Sequence, residues 1–242
     1  MRVYAIGDIH GQIDLLHQAH ERIAVDRART GDMAAPVIHL GDLPDRGPDT
    51  KGVIQLLIDG VARGEPWLTV RGNHDRMFAG FLKDREYHDP RLRPEYTWLH
   101  PRLGGIETLA SYGVDEHTPH DQVQRAVPDS HKQFLTQMPL IQRFDDLAFV
   151  HAGIMPDVPL DQQTEDDLLW IRDPFLNHTG PFEALIVHGH TPVDVATHYG
   201  NRINLDSGAG YGKALTAAVF EGTVCWVLGD NGRTPLRPEN SL

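Results

Sequence analysis

An α/β fold is predicted for this chain by two features of its sequence. Through the first third, short apolar runs alternate with stretches of helical periodicity, and each run stops at a glycine-bearing polar cluster. Through the last third, apolar runs succeed one another with only turn signals between them. The first pattern is that of parallel strands joined by right-handed helical crossovers. The second is that of a further, mixed or antiparallel sheet. Ligands of parallel sheets bind beyond the carboxyl ends of the strands, so the clusters at the ends of the apolar runs are where chemistry is sought.

The individual elements carry their own signals. "RVYAI" is a short apolar run closed by glycine, a first strand. "QIDLLHQAHERIAVDRA" spaces Ile13, Leu16, Ala19 and Ile23 as one face of a helix. "PVIHL" is a second strand, "TKGVIQLLIDGVARG" a second helix ended by glycine, and "PWLTV" a third strand leading into a helix from about Arg76. Residues from about 84 to 137 are Pro-rich and aromatic with short helical patterns ("GIETLASYG", "DSHKQFLTQM") and read as a helical insertion that walls a cleft. The strands "LIQRF", "LAFVHAG", "ALIVHGH", "RINLDSG", "KALTAAVF" and "TVCWVLG" complete the chain.

The composition bounds the function. The 242 residues, 40% hydrophobic and 23% charged, suffice for one sizeable core. No repeat, low-complexity tract or linker divides them, so residues 1–242 are expected to form a single domain with 84–137 inserted. No run of eighteen apolar residues marks a membrane span, and "MRVYAIGDIHG" lacks an apolar leader core, so a cytoplasmic protein is expected. The one cysteine, Cys225 in "TVCWVL", excludes an internal disulfide and reads as a core residue. A formal net charge of −12 opposes nucleic acid and anionic membranes as partners.

The polar clusters at the strand ends are chemically uniform. "GDIHG" offers Asp8 and His10, "GDLPDRG" offers Asp42, Asp45 and Arg46, and "RGNHD" offers Arg71, Asn73, His74 and Asp75. Later strands lead into "HAG" with His151 and "HGHTP" with His188 and His190. Oxygen and imidazole donors of this kind suit Mn, Fe or Zn rather than a thiolate-bound ion. They are too many for one tetrahedral ion and fit two metals that share a carboxylate, roughly 3.5–4 Å apart in hydrolases.

These motifs, in this order, resemble the metallophosphoesterase (calcineurin-like) superfamily, and the "DRG" form resembles its phosphoprotein phosphatase branch, including the bacterial and phage lambda-type serine/threonine enzymes. "GGIETLASYG", "LLWIRD" and "INLDSGAGYGKALT" are also similar to bacterial members, so the likeness runs from Met1 to about Phe220. The resemblance implies a four-layer α/β/β/α sandwich of two mixed sheets flanked by helices. It implies that Asp8, His10 and Asp42 hold a first divalent ion, with Asp42 bridging, and that Asn73, His151 and His190 complete a second, the pair being Mn, or Fe or Zn. His74 would be the general acid, oriented by Asp45, while Arg46 and Arg172 would hold phosphate oxygens, Asn73 beside them. Arg71 would serve there too or form an ion pair further out. Where many members carry a second histidine in "GHxH", this chain has Pro192, so the first ion would rely on three protein groups and water. His188, Asp75 and Pro44 also depart from the family pattern without removing a ligand; His188 reads as a core or supporting residue.

The implied reaction is hydrolysis of a phosphomonoester by hydroxide held between the metals, with His74 protonating the departing oxygen. Two divalent ions outweigh two carboxylates, so the pocket would be cationic within an anionic protein. The expected substrate is a phosphoprotein, at phosphoserine or phosphothreonine and also phosphotyrosine, or a small phosphoester. A symmetrical bis(5'-nucleosyl)-tetraphosphatase is the alternative within hydrolases; those enzymes typically lack the acid that this chain keeps as Asp45. A catalytically inactive metal-binding scaffold is the alternative outside them, and it has no use for a general acid.

Overall fold

The structure, a computed structural model, describes residues 1–238; residues 239–242, included in the expected single domain, lie outside the described residues. Strands β1 (Arg2–Ile6), β2 (Val37–His39) and β3 (Trp67–Thr69) are parallel neighbours joined by α1 (Ile13–Thr30) and α2 (Thr50–Ala62), as the alternation predicts. Helix α1 buries Leu16, Ala19 and Ile23 and stops at Gly31, whose N–H still reaches the Arg27 carbonyl at 2.8 Å and whose φ of 72° turns the chain out of the helix. The Asp49 carboxylate starts α2 by accepting the Gly52 N–H at 2.7 Å. Helix α3 (Asn73–Lys83) begins at Asn73 rather than near Arg76. The reason is Asp75, whose carboxylate accepts the Gly72 N–H at 2.7 Å and draws Asn73 and His74 into the first turn.

The remaining strands divide between two sheets. β4 (Ile141–Phe144), β5 (Leu147–Val150), β6 (Leu185–His188), β7 (Thr197–His198) and β8 (Arg202–Asn204) form a mixed sheet in the order β4-β5-β6-β8-β7. β9 (Ala217–Glu221), β10 (Val224–Gly229) and β11 (Gly232–Leu236) instead extend the first sheet, in the order β11-β10-β9-β1-β2-β3. The last third therefore does not build the second sheet alone. Its final strands return to pair antiparallel with β1, Val3 facing Phe220. β7 and β11 have no strand signal in the sequence: the first has two residues, and the second is polar and carries Pro235.

Strand alternation produces the layers. Tyr4, Ile6 and Val37 point to one side, where they pack with Leu16, Ile23, Val53, Leu57, Phe78 and Phe81 of α1–α3. Val3, Ala5, Ile38 and Phe220 point to the other and meet Leu147, Phe149, Val187 and Ile203 of the second sheet. Phe149 stands edge-on to Phe220 at 5.6 Å across this seam. Ala148, Val150 and Ile186 face outward, under Leu168 of α7 (Glu165–Trp170) and Phe175 of α8 (Asp173–Leu176). The result is the α/β/β/α sandwich, with Cys225 a buried apolar residue at the central seam. Helices α4 (Gly105–Ser111), α5 (His120–Ala126) and α6 (Asp129–Gln137), from the 84–137 stretch, pack on α2 and α3. No helix among the described residues is long and apolar enough to cross a membrane.

Candidate metal centre

The loops that leave β1, β2, β5 and β6 converge with the start of α3, bringing Asp8, His10, Asp42, Asn73, His74, His151 and His190 together in a buried cluster. Holding side chains this way costs backbone freedom. His10, Asp42, Asp45, Arg46 and His190 take the left-handed conformation, with φ of 48°, 48°, 77°, 67° and 67°, and they are five of the seven described non-glycine residues that do so. Gly189 has no alternative, since a Cβ there would lie 1.9 Å from Asp8 Oδ1.

Asp42 sits at the middle. Its Oδ2 faces His10 Nε2 at 3.5 Å and His74 Nε2 at 4.0 Å, while its Oδ1 faces His151 Nε2 at 3.3 Å. Two groups with metal-ligand spacing result, His10–Asp42–His74 and Asp42–His151–His190, and Asp42 belongs to both. Asn73 joins the second, its Oδ1 lying 2.9 Å from both His151 Nε2 and His190 Nδ1. Asp8 lies beside the second group, its Oδ2 accepting the His190 N–H at 2.8 Å. His74, expected as an acid, thus stands within ligand distance of the first group, and Asp8, expected in the first, is bonded to a member of the second.

The donor chemistry fits cations. His151 Nδ1–H donates to the Leu40 carbonyl at 2.8 Å, so its Nε2 is turned on Asn73 Oδ1 and Asp42 Oδ1, two acceptors that it can satisfy only by taking a proton or yielding to a cation. Likewise His10 Nδ1–H donates to the Pro44 carbonyl at 2.9 Å and aims Nε2 at Asp42 Oδ2. Acceptors converging without a donor call for positive charge. Protein groups meet that demand here: the Arg46 guanidinium contacts His10 Nε2, and it donates to His74 Nε2 at 3.0 Å. Burial works against a charged His151, but Asp42 and Asp8 outweigh it and push the imidazole up to about 10. Asp8 Oδ1 is buried with no partner at all, and burial together with Asp206 and Asp42 pushes this carboxyl well up.

The rest of the expected set is arranged around this centre. His74 Nδ1 meets Asp45 Oδ2 at 2.5 Å, both side chains buried. Burial pushes the Asp45 carboxyl up and the His74 imidazole down, while hydrogen bonds from Thr108 and Trp98 and the Arg46 charge draw Asp45 back toward its ionised form. The exposed Tyr211 ring covers Arg46 at 4.7 Å. Arg172 Nε donates to His190 Nε2 at 3.3 Å. Arg71 pairs with Glu165 at 3.3 Å and donates to the Thr136 carbonyl, an ion pair further out. His188 lies edge-on to Phe175, with Arg202 Nη1 at 3.2 Å from its Nε2, a core position.

Several contributions could not be read from sequence. Asp75 accepts the N–H groups of Gly72, Asp42 and Leu43 and so ties the β2 loop to α3; a short acid in a helix's first turn was the available signal. Asp206 is buried close enough to raise Asp8. Trp98 and Thr108 bond Asp45 from the insertion, and nothing local distinguishes them from packing residues.

Comparison with known proteins agrees with this geometry. The profile of the family described as calcineurin-like phosphoesterase matches residues 1–215. An asymmetrical bis(5'-nucleosyl)-tetraphosphatase from Halalkalibacterium halodurans is 26% identical, covering 91% of this chain and 90% of its own. Serine/threonine-protein phosphatase 1 from Salmonella typhimurium is 28% identical, covering 89% and 90%. A cold-active protein-tyrosine phosphatase of a Shewanella species shares the fold, with a TM-score of 0.64 at 18% identity over 98% of this chain and 80% of that one. The tetraphosphatase relative is asymmetrical by name, whereas the alternative from sequence is the symmetrical type.

Proposed function

The chain belongs to the calcineurin-like phosphoesterase family and is a metal-dependent phosphoester hydrolase, and on that footing we propose that it cleaves phosphomonoesters, with phosphoserine and phosphothreonine side chains of proteins as its substrates. The observation that carries this reading is the His74–Asp45 contact, 2.5 Å long, with His74 at the edge of a centre whose two groups of ligand spacing share Asp42. A pure binding site has no need of a buried acid–base pair at its edge.

We assign His10, Asp42 and Asp8 to one divalent ion and Asp42, Asn73, His151 and His190 to the other, with Mn as the metal and Fe or Zn suited to the same donors. When bound, such ions polarise the phosphoryl group and make a nucleophile from water near neutral pH. Arg46 and Arg172 bind and orient the phosphate oxygens with their planar donor forks. The oxygen of a water bonds to phosphorus as the ester P–O bond breaks. The leaving oxygen takes the Nε2 proton of doubly protonated His74, whose Nε2 is freed when Arg46 turns to the phosphate. One water proton stays on the product phosphate while the other returns to His74 through solvent. Asp45 fixes the ring through Nδ1 and stabilises the imidazolium before transfer. Residues 84–137 form, in this reading, an insertion within one catalytic domain.

Hydrolysis of a dinucleoside tetraphosphate is a second reading, favoured by the 26% identity to a tetraphosphatase. Rates of the Mn-loaded protein on a phosphoserine peptide, a phosphotyrosine peptide and diadenosine tetraphosphate decide between them. The phosphopeptide is expected to have the higher kcat/KM; a preference for the dinucleotide by orders of magnitude reverses the assignment. His74→Asn is expected to lower kcat at least about a hundredfold with metal content unchanged, and near-normal turnover would remove His74 as the acid.

A further inference from the structure

Asp45 is completely buried, and the hydrogen bonds around its ionised form have one consistent direction. The Trp98 indole can only donate, and it does so to Oδ2 at 2.9 Å. The Thr108 hydroxyl lies 2.7 Å from Oδ1 and also accepts the Asp45 N–H at 2.8 Å. Thr108 has a single proton, and giving it to Oδ1 leaves Thr50, 3.0 Å away, to donate in turn to Thr108. The chain of protons therefore runs from Thr50 to Thr108 to Asp45, with Trp98 adding another. Trp98 and Thr108 both point their protons at the carboxylate, whose remaining side-chain partner is His74 Nδ1, at 2.5 Å. Trp98, Thr108, Asp45 and His74 are all nearly inaccessible to solvent, at 2%, 0%, 0% and 3% exposure.

We propose that Trp98 and Thr108, both from the 84–137 insertion, are positioning residues for the acid: they hold Asp45 as an acceptor, so that His74 keeps a proton on Nδ1 and turns Nε2 toward the leaving group. This rests on the reading of His74 as the acid. Neither residue belongs to the ligand groups or to the arginines assigned to the phosphate. The insertion thereby does more than wall the cleft, for it carries a hydrogen-bonding layer of the catalytic machinery. The same segment is anchored beside the site by the Arg46 N–H, which donates to the Gly104 carbonyl at 3.2 Å. A Cβ on Gly104 would come within 2.3 Å of the Arg46 nitrogen, so this approach requires glycine.

The test compares two aryl phosphates on the Mn-loaded full chain. Phenyl phosphate has a poor leaving group that needs a proton; 2,4-dinitrophenyl phosphate has a good one that does not. Thr108→Val and Trp98→Phe keep shape and remove one donor each. Each is expected to lower kcat on phenyl phosphate about tenfold or more, a fraction of the 10²–10⁴ available to a general acid, and to leave kcat on the dinitrophenyl ester within about twofold. Thr108→Ser, which keeps the hydroxyl, restores the phenyl phosphate rate. Equal losses on both esters, or no loss on either, overturn the proposal, because a purely structural role does not sense the leaving group. His74→Asn serves as the reference. If it discriminates between the esters and the insertion variants do not, only the positioning role falls; if it does not discriminate, the acid assignment and this proposal fall together.

Discussion

Asp42→Asn removes one charge and one ligand oxygen while keeping the shape of the side chain, and the amide oxygen can still accept the His74 N–H that Asp42 Oδ1 takes at 2.9 Å. Because Asp42 is common to both ligand groups, the substitution weakens two ions rather than one. An ion at a hundred times its Kd stabilises the folded state by about 2.7 kcal/mol, so two independent ions contribute about 5 kcal/mol. For a chain of this size each kcal/mol is worth about 2–4 °C, which predicts a rise in Tm of about 10–20 °C when chelated wild-type protein is reloaded with Mn. The variant is expected to hold fewer than one ion per chain and to keep less than about a quarter of that rise. Metal analysis after gel filtration and thermal scans with and without metal provide the measurement. Each protein is compared with its own chelated form, so differences between the metal-free states cancel. Two ions retained at full thermal gain would refute Asp42 as the shared ligand.

Two other expectations are independent of the first. Arg172→Ala should raise KM and weaken inhibition by inorganic phosphate about tenfold, the low end for a hydrogen bond to a charged group because the side chain is exposed; an unchanged inhibition constant removes Arg172 from the phosphate site. Asp26 joins α1 to β11, accepting Arg233 at 2.8 and 2.7 Å, Arg29 at 2.7 Å and Tyr4 at 2.9 Å. Burial opposes its charge, but Arg233 and the other donors outweigh it and hold the carboxyl at about 2. A carboxyl depressed in the fold stabilises it above the unfolded value of about 3.9, and that stability is lost as pH falls through about 2. Asp26→Asn should therefore cost about 2 kcal/mol at pH 7 and progressively less in acid, read from urea unfolding at both pH values; a deficit independent of pH contradicts the ion-pair account.

The elements that carry the ligands were legible because their signals are local. A β-rich run, a glycine and a polar cluster sit within a few residues at Asp8, Asp42 and Asn73, and parallel pairing follows from the helices between. Sheet membership was not legible in the same way. Nothing inside "KALTAAVF" says that β9 pairs with β1 rather than with its sequence neighbours, since that pairing joins Ala217–Glu221 to Arg2–Ile6 across most of the chain. The start of α3 is hidden because Asp75 acts as a cap from within the helix, where sequence alone reads it as one more site acid. Trp98 and Thr108 escape for a related reason: a buried indole or hydroxyl acquires meaning only from the group it faces, and Asp45 lies more than fifty positions away.

The left-handed residues of the centre have a consequence for stability. Five side chains assigned here to the reaction sit on backbone that glycine would occupy more comfortably, at about 1 kcal/mol each, a sum comparable with the whole margin by which a typical domain stays folded. Replacing any of them by glycine relaxes the chain and erases part of the reaction.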